Sequence, residues 1–172
     1  MVLYYYDRRT VNSTEVQFFH ESRTKHSSKE IGTNMPKDGE FDKDLKIKKI
    51  IVVVPPKLVS STTAKDTAID DNVQLLLNEA VLQVQIADKS IHYIPVALCL
   101  GNVAVNGDLE YSQGTASDGS YAYFAVANVN GKAGAEVNLD IKAGESLKVF
   151  FKSSTTPNLG TVTVILECEP LR

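Results

Sequence analysis

From Leu45 to Val54 the chain reads L-K-I-K-K-I-I-V-V-V, β-branched, alternating at its start and stopped by Pro55-Pro56. That is the pattern of a core strand. Val81–Ile86 sets Leu82, Val84 and Ile86 on one face and Gln83 and Gln85 on the other; Ala87–Ser90 then turns the chain into Ile91–Pro95, which predicts a hairpin. Ser146–Lys152 aligns Leu147, Val149 and Phe151, and Thr161–Cys168 aligns Val162, Val164, Leu166 and Cys168 opposite Thr161, Thr163 and Glu167. Further strands are predicted at 96–100, near 103–105, at 121–129 and at 136–141, with Gly, Asn, Asp, Ser and Pro between them. Residues 70–79 fit one short helix capped by Asp70 or Asp71. About eight short strands and no long helical period predict an all-β sandwich or barrel.

The first 44 residues break this pattern. They are polar and turn-rich, with Tyr4, Tyr5, Tyr6, Phe18 and Phe19 as isolated aromatics. They predict an N-terminal arm over 1–44, followed by a β-sandwich domain over 45–172. Disordered segments are poor in aromatics, so these side chains are expected to dock, either on neighbouring subunits as assembly anchors or over the open end of the sandwich itself.

The whole chain has 172 residues, 43% of them apolar and 23% charged, which is the composition of one ordinary domain. Its formal charge of −3 is not the basic balance of a dedicated nucleic-acid binder. Residues 1–57 carry 11 Lys and Arg against 8 Asp and Glu, leaving an acidic remainder, an asymmetry that suits a head-to-tail contact between copies or simply a solvated surface. No apolar run of signal or membrane-spanning length is visible, so Asn12-Ser13-Thr14 is not expected to be glycosylated.

Chemistry is hard to find. His20, His26 and His92 come without a partner set, and one strand histidine cannot make a metal centre. Cys99 and Cys168 lie in apolar runs, far apart, and read as buried free thiols rather than a nucleophile or redox pair. Gly114–Gly119 lacks the lysine of a phosphate loop, the pairs Asp70-Asp71 and Asp42/Asp44 lack the ligand ladder of a calcium loop, and Lys46, Lys48 and Lys49 lie on a strand face without interleaved aromatics. No catalytic residue, cofactor or metal is expected.

Phe18-Phe-His-Glu-Ser22, Gly32-Thr-Asn-Met-Pro-Lys-Asp-Gly39, Phe41 and the strand Leu45–Val54, followed by Val81–Ile86, Lys89–Pro95 and Gly144–Phe151, resemble in pattern and order the jelly-roll capsid proteins of tailless icosahedral bacteriophages with an internal membrane. The resemblance implies a single jelly roll of two four-stranded sheets with an extended arm. It implies a non-enzymatic virion subunit, assembled in the host cytoplasm, of coat, second coat or vertex (penton) type. Its partners would be copies of itself, other capsid proteins and, through the arm, neighbouring subunits or the internal viral membrane, with no specific nucleic acid. A second reading is a carbohydrate- or receptor-binding sandwich, for which Tyr93, Tyr111, Tyr121 and Tyr123 would be the stacking platform.

Overall fold

Inward and outward positions alternate along β3 (Leu45–Val53) until Lys48 and Lys49, which both point outward; Leu45, Ile47, Ile50 and Val52 are buried. The alternation slips because Lys48 is an extra residue: β11 (Gly160–Pro170) pairs Glu167 with Lys49 and Cys168 with Ile47. On the other flank β9 (Ala135–Ile141) slips at the same place, pairing Leu139 with Ile47 and Glu136 with Lys49. A bulge of this kind keeps both apolar halves of a strand facing the core.

In the computed structural model, residues 1–23, 32–54, 57–59, 75–101, 111–116, 119–124 and 132–171 are described. The residues expected to form an arm contribute two strands instead, β1 (Leu3–Val11) and β2 (Glu15–Phe18). β1 pairs with β11 from Leu3 opposite Cys168 to Val11 opposite Gly160, and β2 pairs with β10 (Leu147–Ser153). This corrects the arm boundary. The physical reason is that Leu3, Tyr5 and Val11 alternate inward as a strand requires, while Asp7 and Arg9 occupy the inward positions between them and break the apolar signal.

The first sheet runs β1-β11-β3-β9, and the second runs β2-β10-β5-β6, with β5 (Ala80–Ile86) and β6 (Ser90–Pro95) forming the expected hairpin. Every neighbouring pair is antiparallel. Between successive strands of the sandwich, every connection except the β5–β6 turn crosses from one sheet to the other. That crossing order is a jelly roll. A third, three-stranded sheet is built from β4 (Lys57–Val59), β8 (Gly119–Phe124) and β7 (Tyr111–Ala116).

One core lies between the two four-stranded sheets. Val162, Val164, Leu166 and Cys168 of β11 share this core with Leu82 and Val84 of β5 and Val149 and Phe151 of β10, and Phe18, Phe19, Met35 and Phe41 are fully buried in the same cluster. The segment 96–100, expected as a strand, is a helical turn, α1 (Val96–Cys99): Val96, Cys99 and Leu100 are buried at i, i+3 and i+4 while Leu98 points outward, which is a helical and not a strand spacing. Of the expected helix 70–79, a π-helical turn occupies Leu75–Glu79 and the rest lies outside the described residues, as does the strand near 103–105. Gly134 sits at φ +78°, where a Cβ would stand 2.7 Å from the Ile50 carbonyl oxygen, so the chain crosses β3 there only because no side chain is present. Among the described residues no helix is long and apolar enough to cross a membrane.

Candidate functional site

The five aromatic residues expected as anchors separate into two groups. Phe18 and Phe19 are fully buried, and Tyr5 is buried opposite Leu166 with its ring edge-to-face on Phe41 at 4.7 Å. These three fill the chain's own core and are not outward anchors. Tyr4 and Tyr6 point to the outer face of β1; Tyr4 is 55% exposed, and the Tyr6 ring lies under the Arg8 guanidinium at 5.3 Å.

What holds the Phe pair inward is a buried polar staple that the residue pattern did not announce. Phe19 has φ +61°, a left-handed conformation unfavourable for a bulky side chain. Its N–H donates to Asp7 Oδ2 at 2.6 Å, and Arg9 Nε donates to the same oxygen at 2.9 Å. Arg9 Nη1 reaches Glu21 Oε2 at 3.1 Å. Asp7 is completely buried, and its Oδ1 and the Arg9 Nη2 are without hydrogen-bond partners among the described residues. The signal in the sequence was the period-two spacing of Asp7 and Arg9 inside an otherwise apolar inward series.

The outer face of the first sheet gathers the lysines noted in the sequence, and the register sets carboxylates beside Lys46 and Lys49. Lys46 lies between Glu169 and Asp140 across three strands, with its Nζ 3.3 Å from the Asp140 carboxylate; Lys49 lies between Glu167 and Glu136. Two rows of acid, lysine, acid make a mixed field rather than a phosphate-binding patch. At the bulge, Lys48, Lys49, Glu136, Asn138 and Glu167 line a shallow open depression of about 190 Å³.

The outer face of the second sheet is different in kind. Register places Tyr93 beside Gln83, Gln83 beside Phe150 and Phe150 beside Gln17, one residue from each of the four strands. Lys152 Nζ stands 5.6 Å from the Phe150 ring centre and 3.1 Å from Glu15. Tyr93 is 64% exposed. The side chains of Tyr111, Tyr121 and Tyr123 lie outside the described residues.

Cys99 and Cys168 are free and buried, and burial pushes both thiols up to about 12, with Glu167 adding to the effect at Cys168. Both are therefore protonated and unreactive near neutral pH. In the unfolded chain the same thiols ionise near their usual 9.0, so the unfolded state binds fewer protons above that value. Stability is fully present below about pH 9 and falls towards pH 12, by roughly 1.4 kcal/mol per pH unit for each thiol in that window. Urea midpoints measured from pH 8 to pH 11 are expected to drop more steeply for the natural chain than for Cys99→Val with Cys168→Val; parallel curves would refute the assignment.

Among the described residues, no group of three or more His, Cys, Asp or Glu is placed to hold a metal ion. His92 is half-buried on the inner side of β6 opposite Val84, His20 is exposed beside Glu21, and His26 lies outside the described residues. Of Gly114–Gly119, residues 114–116 end β7 and Gly119 begins β8, and 117–118 lie outside the described residues. No protein-family model, curated protein or solved structure matches this chain.

Proposed function

We propose that the chain is a structural virion protein, a single jelly-roll capsid subunit of coat or vertex type that self-assembles into an icosahedral shell. The observation that carries this reading is the strand order, β1-β11-β3-β9 against β2-β10-β5-β6, taken with the order of segments that resembles phage capsid proteins. A shell subunit works by repetition: a rigid block presents the same surfaces to neighbours under symmetry, and many modest contacts add up to closure. The crossing connections supply such a block, since strands from both ends of the chain are locked into both sheets. The two outer faces supply chemically unlike surfaces, one of paired charges and one of aromatic and amide groups. Other copies and other capsid proteins are the partners of this reading, and the virion is its location. The arm-borne membrane contact is dropped from it, because β1 and β2 lie within the sheets.

Light scattering across concentration and salt, with negative-stain electron microscopy of the same samples, tests the reading. Pentamers, trimers or shell-like particles are expected, and pentamers would favour the vertex role. A strict monomer under every condition overturns it. One observation favours the second reading, a carbohydrate-binding module: along the row of Tyr93, Gln83, Phe150 and Gln17 the rings of Tyr93 and Phe150 flank Gln83, itself buried, and the amide of Gln17 ends the row. Glycan binding by the monomer that Tyr93→Ala abolishes would establish that function instead.

A further inference from the structure

The run Gly32–Gly39 crosses from one sheet to the other. It begins on the outer edge of β1, where Arg8 N–H donates to the Gly32 carbonyl at 2.7 Å and Asn34 N–H donates to the Tyr6 carbonyl at 3.2 Å, with Thr33 bridged to Asp7. It ends on the second sheet, where Leu147 N–H donates to the Gly39 carbonyl at 2.7 Å and Glu40 is bridged to Ser146. Between these points Met35 is fully buried, and its carbonyl accepts from Arg23 N–H at 3.0 Å. The run ties the two sheets together.

The backbone of this clasp leaves β1 as soon as Met35 turns into the core, having met only Arg8 N–H and the Tyr6 carbonyl. The Asn34 side chain continues the ladder: its Oδ1 accepts from Tyr6 N–H at 2.7 Å, and its Nδ2 donates to the Tyr4 carbonyl at 2.8 Å. A primary amide carries the same acceptor and donor as a peptide unit, so one side chain stands in for the next peptide of a pairing strand. Thr33 Oγ1 gives the Tyr6 carbonyl a second donor at 2.9 Å and accepts from Met35 N–H at 3.2 Å, which fixes the turn. From the Tyr4 carbonyl to Arg8 N–H, each edge-facing backbone group of β1 thus has a partner.

An edge strand without such cover offers its free N–H and C=O groups to a strand of another molecule. We infer that Asn34 is an edge lock: its side-chain amide keeps β1 closed, so that the first sheet does not grow by pairing with a second copy of this chain. The position of the amide decides the matter. Without it the bare edge would run from Tyr6 N–H back past Tyr4 to Val2, and the Tyr4 and Val2 side chains along that stretch are exposed and uncharged. The backbone bonds of Gly32 and Asn34 and the buried Met35 would still hold the clasp in place. The lock is therefore separable from the fold that carries it.

The test compares the full natural chain with Asn34→Ala and Asn34→Asp. In the natural chain the Tyr6 amide is expected to resist hydrogen exchange as the Tyr5 and Asp7 amides do, which point the other way, to β11. In a dilute sample of Asn34→Ala the Tyr6 amide should exchange at least about tenfold faster while Tyr5 and Asp7 hold. On concentration this variant should sediment at a higher mass than the natural chain at the same concentration, and Tyr6 should regain protection because its edge is then paired. Asn34→Asp loses the donor to the Tyr4 carbonyl but puts a charge on the edge, so its mass should match that of the natural chain. A Tyr6 amide already fast in the natural chain overturns the inference, as does an Asn34→Ala chain that lacks a cooperative melt, exchanges Tyr5, Tyr6 and Asp7 faster together, or never exceeds the natural mass. Association that leaves Tyr6 fast, or that Asn34→Asp shares, overturns it too. Every mass is referred to the natural chain, so the outcome does not depend on whether copies also build a shell.

Discussion

A chain lacking residues 1–20 is expected to show no cooperative melt by far-ultraviolet circular dichroism or in urea. The truncation removes β1, which lines β11 along nine registered pairs, and β2, which lines β10. It also removes the buried side chains of Tyr5, Val11, Phe18 and Phe19. Each large apolar side chain contributes about 1.5–3 kcal/mol by burial. Four of them therefore rival the 5–15 kcal/mol that separates a typical folded domain from its unfolded chain. The newly bared β10 and β11 would in addition offer open edges to other molecules. A truncated chain that melts cooperatively within a few degrees of the full chain would refute the placement of both strands. Loss of particles after such a truncation would report on folding, and surface roles are better probed at Tyr4 and Tyr93, which are exposed.

The second large effect is expected at Asp7. Asp7→Ala should destabilise the fold by about 1–3 kcal/mol, because it takes the acceptor from the buried Phe19 N–H and leaves the Arg9 guanidinium with Glu21 alone of its two carboxylate partners. Asp7→Asn, which keeps an acceptor oxygen for that N–H, should cost distinctly less. Arg9→Met and Asp7→Ala each break the same Nε–Oδ2 bond, so the double variant should lose at least about 0.5 kcal/mol less than the sum of the two single variants. Urea unfolding of the four chains measures this coupling. A loss below about 0.5 kcal/mol for Asp7→Ala, the range of an ordinary surface change, would mean the staple does not hold the Phe19 bend.

These two sites also mark where the amino-acid pattern stopped being readable. β10, β11 and the β5–β6 hairpin were legible because one face of each is uniformly apolar and the other is not. Even the bulge is written in β3, where Lys48-Lys49 and then Ile50-Ile51 break a strict alternation. β1 was hidden by Asp7 and Arg9 at inward positions, and three consecutive tyrosines carry no period. β2, at four residues, is too short to show one. Val96–Leu100 read as a strand because its composition is aliphatic; the turn to helical spacing after Pro95 is visible only in which side chains are buried. For Phe18 and Phe19 the residue types announced docking, but the direction was set by a carboxylate eleven or twelve positions earlier in the chain. The outer faces were the least legible part. Rows such as Tyr93, Gln83, Phe150 and Gln17 are assembled from four separate strands, and no linear spacing relates them.

The pairing of β1 with β11 and of β2 with β10 has a consequence for biosynthesis. A ribosome makes the N-terminal strands first and their neighbours last, so Leu3 waits for Cys168 before its ladder can close. Until then the early strands lack their sheet partners, and incompletely paired strands are the state in which nascent β proteins are most open to aggregation. Contacts between distant parts of the chain place folding in the slow range of milliseconds to seconds. The jelly roll therefore closes only after translation of its final strand, and chaperone occupancy of the nascent chain should persist to that point.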